Sequence, residues 1–170
     1  MRLNVNKLLH TPGARQNFHF EMDLSDLEFG GMYPVSRPVV VDGLVRNEAG
    51  VLVCELQADT TLSAVCDRCL EEFDEPKTVS YSCVLAEEKQ FEDNDEIVLL
   101  EDDEVDLAEL ARTAFILSMD TKTLCSPDCK GLCSGCGVNL NREKCRCKKQ
   151  VDPRLAALAK LLEQDDGTHE

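Results

Sequence analysis

The chain has 170 residues, 43% of them hydrophobic, and a formal net charge of −15. That length holds one ordinary domain with a small appendage, and the apolar content is enough for a real core. No apolar run reaches membrane-spanning length, and a charge of this sign argues against nucleic-acid binding through a general positive field.

The first residues, Met1-Arg2-Leu3-Asn4-Val5-Asn6-Lys7, alternate polar and apolar. They predict a strand and lack the apolar run of a secretory signal, so a reducing, cytoplasmic setting is the expectation. Asn17 to Met22 repeats the alternation, with Phe18, Phe20 and Met22 on one face and His19 on the wet one. Pro38 to Arg46 is β-branched, Asn47-Glu48-Ala49-Gly50 is a turn, and Val51 to Val65 returns as a long antiparallel partner in which Cys54 serves as a buried small hydrophobe. Pro76 is expected to start a further strand, Lys77 to Leu85, with Val79, Tyr81 and Cys83 on one face; short connections make these segments a meander.

Between the last two strands lies Cys66-Asp67-Arg68-Cys69, a C-x-x-C pair. One pair cannot complete a tetrahedral metal site, so a turn or packing role comes first, a metal shared with distal thiols second, and a redox couple third. Glu87 to Glu104 is acidic and reads as a loop around a short edge strand at Ile97 to Leu100. Asp106 then caps a helix with Glu109 three places on, and Leu107, Leu110, Ala114 and Leu117 are the expected stripe against the sheet. Near the end, Asp152-Pro153 opens a closing helix striped by Leu155, Leu158 and Leu162, and Gly167 ends it before a tail. The expectation is an α+β fold in three parts: a β-rich core over 1–120, a cysteine-rich module over 121–150, and a helix and tail over 151–170.

That module carries the chemistry. Six of the ten cysteines, Cys125, Cys129, Cys133, Cys136, Cys145 and Cys147, fall within 23 residues. Cys133-Ser-Gly-Cys136-Gly137 is a zinc-knuckle turn whose glycines free the backbone to aim amides at sulfur. Cys145 and Cys147 stand at i and i+2 and can meet the knuckle across a hairpin through Asn139 to Glu143. Cys125 and Cys129 stand at i and i+4, stacked if Pro127 opens a helical turn that Gly131 stops. Four thiolates fill a structural zinc, so the reading is one zinc held by Cys133, Cys136 and two of the other four. A disulfide staple, an iron–sulfur cluster and a thiol switch are the alternatives. His10, His19 and His169 are remote in sequence, which leaves no base for a catalytic zinc.

Charge is unevenly spread. Residues 61–120 carry −14 and residues 121–150 carry +5, the only basic segment. Lys130, Arg142, Lys144, Arg146, Lys148 and Lys149 would present phosphates with a small cationic surface, although the same lysines also simply solvate a module with little core. No aromatic residue lies between Cys125 and Cys147, so base stacking is not expected.

Taken in order, these pieces resemble the large ribosomal RNA subunit accumulation protein family over about residues 15–163. The resemblance is carried by Cys66-Asp67-Arg68-Cys69-Leu70-Glu71, by Glu104-Val105-Asp106-Leu107, by Lys130-Gly131-Leu132-Cys133 through Asn141, by Cys145-Arg146-Cys147 and by Asp152-Pro153-Arg154-Leu155. It implies a non-enzymatic part in ribosome biogenesis, with ribosomal RNA or a large-subunit ribosomal protein as partner and no membrane or small-molecule substrate. Some branches of the family lack the distal cysteines and keep the first pair, which implies that Cys66 and Cys69 do not depend on the module for metal. Others have histidines where Cys145 and Cys147 stand, which favours zinc over redox chemistry. Two further classes stand beside this reading. One is an acidic module that holds a basic ribosomal protein; the other is a thiol reductase through Cys66 and Cys69, which lacks the βαβ context of such motifs.

Overall fold

The computed structural model describes residues 1–86 and 97–147, and the fold is α+β. The chain opens with β1 (Arg2–Asn4) and the single-turn helix α1 (Asn6–Leu9). Four strands follow as an antiparallel meander: β2 (Arg15–Met22), β3 (Val39–Glu48), β4 (Val51–Val65) and β5 (Glu72–Ala86). A short β6 (Ile97–Leu99) adds parallel to β5, and β7 (Glu104–Asp106) returns to pair with β1. The helix α2 (Leu107–Leu117) then crosses β5, β4 and β1.

One face of the meander builds the core. Val45, Cys54 and Cys83 sit opposite one another across β3, β4 and β5, as do Val41, Ala58 and Val79 on the same face, and all six are buried. Where β2 crosses β3, Phe18 pairs with Gly43, and a Cβ there would stand 2.1 Å from the Phe18 ring. Glycine at that position lets the ring lie flat over the strand. The β3–β4 hairpin turns on Ala49 and Gly50, both with positive φ. Asn47 is the one buried polar side chain among the described residues. Its amide donates to the carbonyls of Leu8 and Leu9, and its carbonyl oxygen accepts from the Gly50 N–H at 2.8 Å, so one residue ties α1 to the hairpin with its polar atoms satisfied.

Several expectations needed correction. The N-terminal alternation yields only three strand residues before α1 begins, because Val5 turns into the core and its N–H bonds Asp103 O. Pro76 lies inside β5, opposite Thr61, not at its start. The strand tolerates it because β6 pairs only with Val84–Ala86, so the missing N–H falls where β5 has no second described neighbour. The buried stripe of α2 is Leu107, Ala111, Ala114 and Phe115, with spacings of four, three and one, and Leu117 is 80% exposed. Asp106 does cap the helix, accepting from the N–H groups of Ala108 and Glu109. His19 pairs with Asp42 on the outer face, as expected for a surface residue. The acidic stretch from 87 to 96, Lys148, Lys149 and the closing helix and tail lie outside the described residues.

Candidate metal centres

The longest hairpin positions the first site. β4 and β5 each run 15 residues, paired from Leu52 opposite Leu85 out to Val65 opposite Glu72. The loop that closes their far end is Cys66 to Glu71. Within it the Cys66 N–H donates to Glu71 O, the Leu70 N–H donates to Cys66 O, and Leu70 takes a positive φ of 58°. The distal knuckle repeats each of these features four residues on from its own first cysteine. The Cys133 N–H donates to Val138 O, the Gly137 N–H donates to Cys133 O, and Gly137 has φ 72°. The two C-x-x-C turns are thus the same backbone motif, one with glycine at the left-handed position and one with leucine.

Each turn meets a second pair of cysteines. Cys66, Cys69, Cys125 and Cys129 form one group and Cys133, Cys136, Cys145 and Cys147 another, with all four sulfurs of each within 4.8 Å of one another. The Sγ···Sγ separations are 3.8 Å for Cys66–Cys129, 3.6 Å for Cys69–Cys125, 3.8 Å for Cys136–Cys145 and a shorter 3.1 Å for Cys133–Cys145. A tetrahedron with metal–sulfur bonds of about 2.3 Å has edges of about 3.8 Å. A disulfide would bring two sulfurs to about 2.05 Å, and none of the ten cysteines is in one. Both groups can therefore hold a metal ion.

Of the four thiols left open as partners of Cys133 and Cys136, this division places Cys145 and Cys147 with the knuckle and Cys125 and Cys129 with Cys66 and Cys69. The six do not converge; Cys125 and Cys129 turn away from the distal knuckle and face the hairpin loop. The expected helical turn between them is absent too. A tight turn takes its place, with the Cys129 N–H bonded to Ser126 O. Nor is the first pair independent of the module, as the family branches suggested, because half of its sulfur group comes from the module itself. Cys54 and Cys83 stay in the main core, where Cys83 and burial push the Cys54 thiol up.

Backbone stitching explains why Cys125 and Cys129 arrive there. The Asp67 N–H donates to Thr123 O, and the Thr123 N–H donates to the Asp67 carboxylate at 2.7 Å. The Leu132 N–H donates to Arg68 O, and the Arg68 guanidinium donates to Cys129 O. Gly131 sits in this seam with φ 73°, and a Cβ there would stand 2.9 Å from Arg68 O. The sequence Lys130-Gly131-Leu132 is thus fixed by close approach to the hairpin loop.

Electrostatics are alike in the two groups. The backbone N–H of Cys125 holds the Cys66 thiol down to about 6, while Cys69 beside it pushes Cys125 up to about 12. Cys145 and the N–H groups of Gly135 and Cys136 hold Cys133 down to about 6, while Cys136 pushes Cys147 up to about 12. Four crowded sulfurs give up one proton readily and the last with difficulty, which is the arrangement a divalent cation relieves. The surroundings differ more: Cys66, Cys69 and Cys129 are buried in a small cluster with Phe73 and Leu124, separate from the main core, whereas Cys136 and Cys147 are exposed.

Among the expected cationic residues, Lys130, Lys144 and Arg146 are exposed and carry no ion pair among the described residues. Arg142 instead binds Glu71 of the hairpin loop at 2.6 Å, a further link between module and sheet. For Cys66 and Cys69 the grouping agrees with the second expectation, a metal shared with distal thiols, over a turn or packing role alone. Thiol arithmetic was the available signal, since six distal thiols and two proximal ones make two sets of four.

A family model described as large ribosomal RNA subunit accumulation protein YceD matches residues 54–162, a span that contains all eight of these cysteines. The chain is 29% identical to an uncharacterized protein of Mycobacterium tuberculosis over 99% of its own length and 84% of that protein's. It is 36% identical to a chloroplastic large ribosomal RNA subunit accumulation protein homolog of Arabidopsis thaliana, over 36% of this chain and 19% of that one. An uncharacterized protein of Bacillus subtilis is 37% identical over 44% of each chain. No solved structure matches.

Proposed function

We propose a function that proceeds from one established premise: the chain belongs to the large ribosomal RNA subunit accumulation protein family. It acts as a non-enzymatic, cytoplasmic factor in ribosome biogenesis, supporting accumulation of large-subunit ribosomal RNA by binding. The cysteine-rich module is the contact surface, with zinc on Cys133, Cys136, Cys145 and Cys147 holding it rigid, and the β-rich core is its platform.

The observation that carries this reading is the placement of charge. Lys130, Lys144 and Arg146 stand exposed on the only basic segment of an otherwise acidic chain. A tetrathiolate zinc adds about −2 locally, so the cationic surface is small and the RNA footprint is a few phosphates. Binding of the zinc-loaded chain to a large-subunit ribosomal RNA fragment, followed across a salt series, tests it. Replacing Lys144 and Arg146 by Glu is expected to weaken binding about tenfold or more at low salt and to flatten the salt slope by about two. Unchanged affinity at low salt would sink it.

A second reading has its own observation. Glu101, Glu104, Asp106 and Glu109 line a groove of about 470 Å³ together with Tyr81, Val98, Leu99, Leu110 and Arg2, which pairs with Asp106. That acidic surface suits a basic ribosomal protein. Retention of such a partner after nuclease treatment, with loss at high salt, would favour it over RNA contact.

No helix among the described residues is long and apolar enough to cross a membrane.

A further inference from the structure

We propose that Cys66, Cys69, Cys125 and Cys129 form a second zinc site, a clasp that fixes the cysteine-rich module to the tip of the β4–β5 hairpin, so that one chain carries two zinc ions. The proposal shares thiolate chemistry with the function above but does not depend on RNA contact.

Four observations converge on the clasp. The sulfurs lie at the edge lengths of a metal tetrahedron, 3.6 Å and 3.8 Å across its two long-range pairs. The hairpin loop reproduces the hydrogen bonds of the distal knuckle and its left-handed residue directly after the second cysteine, although leucine must adopt that conformation. An outer donor is in place as well: the Asn141 side-chain amide donates to Cys129 Sγ at 3.2 Å, and the Asn141 carbonyl oxygen accepts from the Lys130 N–H. Donors of this kind, bonded to the ligand sulfur, orient it and soften its charge. Finally, three of the four thiols are buried, yet among the described residues Phe73 and Leu124 are the only hydrophobics packed against them. Apolar packing of that size does not account for three sequestered thiols; a central ion does.

The donor set selects the class of metal. Four soft sulfurs in tetrahedral array, with no carboxylate or imidazole among them, suit zinc or iron and exclude magnesium and calcium. Zinc needs no redox partner and fits a role that is purely structural.

The two sites are also unequal. The clasp has three buried thiols and one exposed, Cys125, while the distal site has no buried thiol and its Cys136 and Cys147 are open to water. A chelator therefore reaches the distal ion first.

The test is zinc content of the full-length chain, purified under reducing conditions, by elemental analysis and native mass spectrometry. Two zinc ions per chain are expected, falling to one in Cys136→Ser and to one in Cys69→Ser. One ion in the unmutated chain, an unchanged count in Cys69→Ser, or iron at the clasp would overturn the proposal. Because Cys69→Ser also removes a support of the fold, alkylation of the unmutated chain gives a second readout. Under limiting chelator, Cys133, Cys136, Cys145 and Cys147 should label before Cys66, Cys69, Cys125 and Cys129. Labelling of Cys66 and Cys69 without chelator would overturn it. Loss of RNA binding in Lys144→Glu leaves the zinc count untouched, so the two ideas fail separately.

Discussion

The two sulfur quartets share a backbone motif and a thiol count, and they differ in almost everything around them. One sits at the tip of a hairpin of two 15-residue strands and is joined by residues about 60 positions later in sequence; the other is built within a segment of 15 residues and faces solvent. The comparison teaches that identical ligand chemistry is assigned its task by topology. A quartet that spans distant parts of the chain sets where a module sits, while a local quartet sets only the shape of that module.

The strongest way to break this contrast is Cys129→Ser. Structural zinc contributes roughly 10–16 kcal/mol to the folding of small metal domains, and removing a buried ligand forfeits much of that for the clasp. Limited proteolysis should then cut between Ser118 and Lys122 while the sheet's circular dichroism persists; an unchanged digestion pattern would refute the clasp's structural role. Cys136→Ser is the matched control. It is expected to shift the thermal midpoint of the sheet by no more than about 2 °C while weakening RNA binding, because among the described residues the main core cluster includes no residue of the distal site. A collapse of the sheet in this variant would erase the distinction between the sites.

Smaller changes sharpen the same picture. Gly131→Ala combines a left-handed φ with a 2.9 Å approach to Arg68 O, so a loss of about 1–3 kcal/mol by denaturant unfolding is expected. Stability equal to that of the parent would mean the seam between loop and module yields freely. Leu70→Gly is the mildest and has the opposite sign. Leucine at φ 58° costs about 1–2 kcal/mol, and glycine returns about 0.5–1 kcal/mol of that through its greater unfolded freedom. Its side chain is 65% exposed, so little burial is lost and a net gain of about 0.5–1 kcal/mol should be measured. A loss instead would show that the exposed leucine makes a contact the isolated chain already needs.

Much of this was legible in the residues. Alternation placed β2 to β5 within a few positions, and the Asp106 cap fixed the start of α2. The knuckle at Cys133 and Cys136 was plain because glycine marks its left-handed residue. Its counterpart at Cys66 was hidden because Leu70 stands there, and side-chain identity stops reporting backbone conformation once tertiary contacts impose it. Pro76 misled for a related reason. Proline signals a strand boundary only where its missing N–H would be needed, and the short reach of β6 removes that need. The pairing of thiols was legible only in part: a metal shared by Cys66 and Cys69 with distal thiols is the second reading of the sequence, but spacing does not say which two, and the stitching through Asp67, Arg68 and Thr123 is what brings Cys125 and Cys129 there.

The long sequence separation across the clasp also orders events in time. Cys66 and Cys69 leave the ribosome as a completed hairpin tip whose partners have not been made. At synthesis rates of about 5–20 residues per second, the interval until Cys129 emerges is about 3–12 s. Local pairing in the meander is rapid by comparison, and closure of the intervening loop adds an entropic cost that rises only slowly with its length. On the two-zinc proposal the hairpin therefore folds first and waits, its two thiols open, and capture of the metal would be the late step that seats the module on an already finished sheet.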